Sequence, residues 1–268
     1  MSEYVLGTGE HELERLRFQN EVWGPVTERF LDRLAVPPGA RVLDVGSGPG
    51  FALRALRERA GASGSVTALD AADDWTAHVE AQIREHRWEN VTLLRGDVRE
   101  VELPAGGFDL VFMRWVLSFL PDPGAVVARL ATALAPGGRL AIQDYNHEGL
   151  SLFPESDGFV AAVEATRRFV AAEGGDLWVA ARLPGLLRAA GLEPVDYTPT
   201  VLCGGPESPA FRWADRFFPF HVARMVEAGV LSAADRARFD RDWSARKGDP
   251  DAVFFSPIVV DCAGEQPR

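Results

Sequence analysis

Residues 41–50, Arg-Val-Leu-Asp-Val-Gly-Ser-Gly-Pro-Gly, run a short apolar strand directly into a turn with glycine at every second position. Such a segment has few ways to fold. The Val- and Leu-rich run suits a buried, pleated environment, and glycine allows the sharp return with positive φ that other residues resist. Residues 51–60 then have helical period. The segment therefore reads as strand, loop and helix, with unpaired N–H groups at the helix start facing whatever lies on the loop.

The spacing narrows the ligand. A dinucleotide fingerprint, G-x-G-x-x-G, requires glycine at 51, where Phe51 stands. A phosphate-binding Walker loop requires Gly-Lys-Ser/Thr, and the only lysine of the chain is Lys247. With no diphosphate site evident, Gly46, Ser47, Gly48 and Gly50 suit a nucleoside with a small polar tail, and Asp44 would face an ammonium better than a phosphate. The same loop is also compatible with a bare strand-to-helix turn.

Around the loop, apolar runs at 41–45, 65–69, 91–94, 108–113 and 139–144 alternate with helical segments at 51–60, 74–86 and 123–134. This is the rhythm of βαβ units, and it predicts an α/β fold with an open, doubly wound, Rossmann-like sheet. Beyond 144 come helical stretches at 156–172 and 177–190, an extended run at 192–202, a polar and aromatic region at 204–250, and a last strand at 252–262. Two late strands parted by an insertion predict an antiparallel edge. A helical segment at 10–34 precedes everything, with apolar positions at Leu13, Leu16, Val22, Val26, Phe30 and Leu34. The division expected is an N-terminal helical lid at 1–34 and one main domain at 35–268, capped by the insertion at about 204–250.

Two further acids follow strands. Asp70 ends the second, about 20 residues past the loop, the position from which a carboxylate reaches ribose hydroxyls. Asp97 follows the third. Singly, each would read as a turn or helix cap, but three acids at successive strand ends mark the crevice of such a sheet.

On Val42–Gly50, Ala68–Asp70, Arg95–Val98, 108–123 and Ala135–Asp144 the chain resembles the class I S-adenosylmethionine-dependent methyltransferases of the small-molecule type. The resemblance implies a seven-stranded sheet ordered 3-2-1-4-5-7-6, strand 7 antiparallel, with S-adenosyl-L-methionine as cofactor and S-adenosyl-L-homocysteine as product. It implies that Asp70 and Ala71 meet the ribose, that Gly96, Asp97 and Val98 surround adenine, and that Asp44 and the glycine loop run along the methionine portion. The ribose position is often Glu in that family and is Asp here. The segment Tyr4 to Gly7, followed by Glu14-Arg15-Leu16 and Gln19, looks like the leader of such enzymes, so Tyr4, Gln19 and Trp23 are candidates near the sulfonium or substrate; Trp23 could equally pack the helix on the sheet.

Methyl transfer from a sulfonium is an in-line displacement, so the protein must align a nucleophile, exclude water and accept a proton where one is released. Aromatic walls suit a cation that loses its charge in the reaction. Arg114 and Trp115, after the fourth strand, are candidates to line the site, and no Asn/Asp-Pro-Pro-Tyr/Phe motif of nucleic-acid enzymes occurs there. Tyr145 and His147 follow the fifth strand and His221 lies in the insertion; these are the candidate bases. Phe217 and Phe218 head an aromatic cluster that would either cap a substrate pocket or form the insertion's own small core.

Composition limits the partners. Among 268 residues, 28 basic against 39 acidic give a formal charge of −11, and the basic residues are interleaved with acids rather than clustered. That argues against nucleic acid and anionic membranes. Cys203 and Cys262 belong to no metal-binding pattern, so no metal is expected and both read as core thiols. With no signal-like leader and no apolar run of about 18 residues, a cytoplasmic monomer or homodimer is expected. The function implied is methylation of O, N or C in a small organic molecule. The alternatives are a cofactor-retaining enzyme that catalyses cyclisation or rearrangement, and a non-catalytic binding module.

Overall fold

The computed structural model of the chain describes residues 9–268. Helix α1 (Glu10–Leu34) leads into β1 (Arg41–Val45), α2 (Leu53–Ala60), β2 (Ser65–Asp70), α3 (Asp73–His86) and β3 (Val91–Arg95). Then follow β4 (Phe108–Arg114), α4 (Pro123–Thr132), β5 (Leu134–Asn146), the short β6 (Ser151–Phe153), α5 (Asp157–Ala172) and α6 (Val179–Ala189). The chain ends with β7 (Glu193–Thr200), β8 (Cys203–Gly204), α7 (Pro209–Glu227), α8 (Ala233–Lys247), β9 (Val253–Phe255) and β10 (Ile258–Glu265).

Seven strands make one sheet in the order β3-β2-β1-β4-β5-β10-β7. The first five are parallel, and β10 runs antiparallel to both β5 and β7. This is the expected topology. Because both faces are covered, β1 reads as an apolar run interrupted only by Asp44 after its exposed first residue. Its Leu43 and Val45 pack with Val127 and Leu130 of α4 and Leu183 and Leu187 of α6. Val42 faces the other way, with Phe30, Leu31 and Leu34 of α1 and Leu53 and Leu56 of α2.

A second core lies apart from the sheet's own helices. Phe211, Trp213 and Phe218 of α7, Phe239 and Trp243 of α8, Phe159 of α5 and Phe254 of β9 pack ring on ring, with Phe211 stacked on Trp243 at 5.0 Å. Ser156, Ser208 and Ser232 start α5, α7 and α8 as N-caps that accept from the backbone N–H three residues on. Helix α1 belongs to both cores, through Trp23 and Val26 here and through Phe30 to Leu34 over the sheet.

Three details differ from the sequence reading. The last strand is two strands, parted at Ser256-Pro257, and β9 pairs instead with β6 and β8 in a separate three-stranded sheet. Proline cannot donate to a ladder, which is why the break falls there. Strand β5 begins at Leu134, so Pro136-Gly137-Gly138 lies within it, where the pairing with β4 shifts register. Cys203 is exposed on β8; only Cys262 is a core thiol, and burial pushes it up to about 12.

The approach of α5 to α8 is close enough to exclude a methyl group. A Cβ on Gly158 would lie 2.7 Å from the backbone of Phe239. Gly158→Ala should therefore cost about 1–3 kcal/mol of stability by pushing α8 away. Gly185 in α6 has open space at the same position, and Gly185→Ala should gain about 0.5–1 kcal/mol. Urea denaturation midpoints of the two variants check the contrast.

Candidate active site

The strand ends meet in a built cleft. Gly46 and Gly48 take positive φ, 64° and 53°, after β1. A Cβ on Gly46 would lie 2.4 Å from Val116, so only glycine fits beneath that loop, whereas the space over Gly48 is open. Asp70 closes the geometry: Oδ2 accepts from the Gly48 N–H at 2.7 Å and Oδ1 from the Ala72 N–H at 2.9 Å. Burial pushes its carboxyl up, and these backbone bonds oppose the shift. Asp97 is held below the usual carboxylate range by the Arg99 side chain, which bonds it at 2.9 Å.

Asp44 lies at the end of β1 in the interior. Burial pushes its carboxyl up to about 7; the nearby Arg114 opposes this and Asp70 adds to it. Its Oδ2 and the Ser47 hydroxyl are buried without a hydrogen-bond partner among the described residues. Arg114 is itself half-buried and drawn down to about 10 by the loss of water.

One cavity of about 890 Å³ runs from these strand ends to the cap. On the first side it is lined by Asp44, Gly46 to Pro49, Asp70, Ala71, Gly96 to Val98, Gln19 and Arg114. Its other side is aromatic. Trp115 stacks on Tyr145 at 5.8 Å, Trp213 on Phe217 at 5.8 Å, and Phe217 on His221 at 3.7 Å. His147 and Phe218 also reach it.

Both histidines are buried and kept neutral, pushed down to about 3 by desolvation, with Arg167 adding to the effect at His147 and Arg15 at His221. The Nδ1 of His221 lies 2.8 Å from the Phe217 carbonyl. A carbonyl only accepts, so Nδ1 carries the proton and Nε2 keeps its lone pair, which has no partner among the described residues.

Most of the expected site residues are thus brought together. Two are not. Trp23 is fully buried edge-on to Trp115 and Trp213 and lines no part of the cavity, because the cap closes over it. Gly50 lies behind the loop, where a Cβ would meet Leu53 and Val79, so its role is in packing. Tyr4 falls outside the described residues. The insertion's aromatics both form a core and line the cavity.

Sequence reasoning missed Arg15 and all of α5. Arg15 is buried, its guanidinium bonded to Glu12 at 2.7 and 2.8 Å and to the Gln19 Oε1 at 2.9 Å, and that oxygen also accepts from Trp213 Nε1 at 3.2 Å. Thr166, Phe169 and Val170 of α5 line the aromatic side. A Glu and an Arg three apart look like an ordinary exposed helix pair; only the packing of α7 on α1 makes them interior. Among the described residues no group of three or more His, Cys, Asp or Glu could hold a metal, and no helix is long and apolar enough to cross a membrane.

Fold and cleft together define the Rossmann-like class of α/β proteins whose ligand crevice opens at the strand C-termini. The chain matches the methyltransferase domain family over residues 42–138. It is 36% identical over 122 residues to nocamycin O-methyltransferase of Saccharothrix syringae, a match covering 46% of this chain and 44% of that protein. Over 121 residues it is 34% identical to aklanonic acid methyltransferase DauC of a Streptomyces species, covering 45% and 55%. The chain thus spans about half the length of these curated relatives. A solved structure from Bacillus halodurans, assigned to the methyltransferases, superposes with a TM-score of 0.63 at 20% identity over 90% of this chain and 99% of its own.

The raised Asp44 carboxyl has a measurable consequence. Between about 4 and 7 the folded ligand-free chain keeps a proton that the unfolded chain releases, so Asp44 lowers stability as pH rises through that window. Asp44→Asn should raise the melting temperature at pH 8 and lose that advantage on going down towards pH 4. Thermal unfolding across pH reads it directly.

Proposed function

We propose that the chain transfers the methyl group of S-adenosylmethionine to a hydroxyl oxygen of a small, largely apolar, ring-bearing molecule. The observation that carries the reading is the continuity of one cavity from acid-lined strand ends into an aromatic chamber. The residues present fit the cofactor. Asp70 has lone pairs left for two ribose hydroxyls after its two backbone bonds. The open space over Gly48 admits a ligand against the backbone, where any side chain would intrude. Asp44 Oδ2 and Ser47 Oγ are buried polar atoms of the kind that a ligand's ammonium and carboxylate satisfy. In this reading Ala71 lies at the ribose, Gly96, Asp97 and Val98 at adenine, and Gln19 and Arg114 near the amino-acid end.

When bound, the cofactor supplies an electrophilic methyl carbon on a sulfonium, open to in-line attack. Everything else falls to the chain. Trp115, Tyr145, Phe217 and Phe218 give a flat, apolar seat that orients the acceptor and keeps water out. His221 Nε2, the free acceptor of a neutral ring whose tautomer the Phe217 carbonyl fixes, takes the hydroxyl proton. His147, neutral as well, lies on the same chamber and holds the acceptor's polar edge. A base of this kind serves a hydroxyl, and oxygen is also what the name of the Saccharothrix relative specifies. The helix within 1–34 and the insertion at about 204–250 act as lid and cap, the former through Gln19 and Arg15 and the latter through Trp213 to His221.

Incubation with methyl-labelled cofactor and a pool of hydroxylated ring compounds should label one product mass; turnover without label in any product would overturn methyl transfer. Calorimetry should show that Asp70→Ala abolishes cofactor binding, and unchanged affinity would remove the ribose assignment. His221→Phe should lower kcat about 10²–10⁴-fold with cofactor affinity intact. Because burial keeps this ring neutral down to about 3, the wild-type rate should show no histidine limb between pH 5 and 8.

A further inference from the structure

Under α1 the sheet carries a row of polar side chains across three strands. Arg114 of β4, Gln143 of β5 and Asp261 of β10 are direct register partners across three strands. Two residues back along β4 and β5, the matching row is Phe112, Ala141 and Ala263, all in the sheet's core. Gln143 and Asp261 are buried almost completely. A row of this kind is costly to bury unless every member is bonded.

The bonds form one directed chain. Arg114 Nη1 donates to Thr27 Oγ1 at 3.1 Å, the Thr27 hydroxyl donates to Gln143 Oε1 at 2.7 Å, and Gln143 Nε2 donates to Asp261 Oδ1 at 2.6 Å. Arg33 completes it, donating to Asp261 Oδ2 at 2.9 Å and to Asp196 Oδ2 at 2.7 Å. Arg114 Nη2 donates to Asn20 Oδ1 at 3.0 Å, and the guanidinium lies 4.9 Å over the Trp115 ring. Both of these Arg114 nitrogens are therefore turned to α1. Asp44, the buried carboxylate that Arg114 would otherwise be drawn to, is left with Oδ2 unbonded among the described residues.

We propose that Thr27, Gln143 and Asp261 are positioning residues for the cofactor cleft: they hold Arg114 on α1 and off Asp44, which keeps that carboxylate unpaired for the cationic amino-acid end of the ligand. The proposal rests on the reading of Asp44 given above. Its physical content is a competition. A direct Arg114–Asp44 ion pair in this dry interior would occupy the carboxylate, and a ligand ammonium would have to displace a guanidinium to reach it. The row across β4, β5 and β10 supplies Arg114 with other acceptors, so the ligand meets no such competitor. Thr27 is the link that α1 contributes, so docking of the helix and readiness of the carboxylate are one event.

The test measures affinities for S-adenosylmethionine and for 5′-methylthioadenosine, which shares the nucleoside but has no amino-acid end. Thr27→Val, which keeps the shape and removes both bonds, and Gln143→Leu should each weaken S-adenosylmethionine about tenfold and leave methylthioadenosine unchanged. Thr27→Ser, which keeps the hydroxyl, should bind both ligands as the wild type does. Unchanged S-adenosylmethionine affinity in Thr27→Val and Gln143→Leu would overturn the proposal, as would equal weakening of both ligands, which marks a purely structural role. Asp44→Asn separates the two levels. If it binds S-adenosylmethionine as tightly as the wild type, the reading of Asp44 fails and the proposal with it; if it binds weakly while Thr27→Val does not, only the positioning role fails.

Discussion

The Asp70 carboxylate bridging two loops is the constraint on which the cleft depends. By accepting from Gly48 on one side and Ala72 on the other, it fixes the loop after β1 against the loop after β2 before any ligand arrives. Each bond satisfies a backbone N–H that would otherwise be stranded at a strand end. Backbone N–H groups pointing at the half-buried charge make it tolerable, and burial still raises its carboxyl. Stability and the shape of the strand-end cleft thus have a common origin.

Much of this was legible in the sequence because the chemistry and the periodicity coincide. Acids at the close of successive apolar runs, as at Asp44 and Asp70, mark strand ends, and glycines at 46 and 48 announce the positive φ that the turn requires. Strand β1 and helix α1 fall on the bounds that pattern alone suggests. What was not legible depends on tertiary context. Nothing local distinguishes Trp23, a core residue, from Trp115, which lines the cavity; the difference lies in whether the cap covers them. The break at Ser256-Pro257 interrupts a run that reads as one strand, since its two halves find different partners. Gln143 is one polar residue in an apolar strand, and only the register places it between Arg114 and Asp261.

The two sides of the cavity are built by different rules. The strand-end side is made of backbone turns and short acids, geometry that tolerates little change because Gly46 has no room for a methyl group. The chamber beyond it is made of side chains from α5, α7 and the end of β5, packed by ring contacts that several arrangements of similar volume would satisfy.

The separation of the cap's aromatic core from the core of the sheet bears on how such a protein changes over generations. Substitutions among Phe169, Trp213, Phe217 and Met225 reshape the chamber while the backbone bonds of Asp70 stay in place, since the sheet's own clusters contain none of these residues. Distant sites of this sort contribute nearly independently to stability. A lineage built on this plan can therefore reshape one half of the cavity by drift, with the strand-end half inherited unchanged.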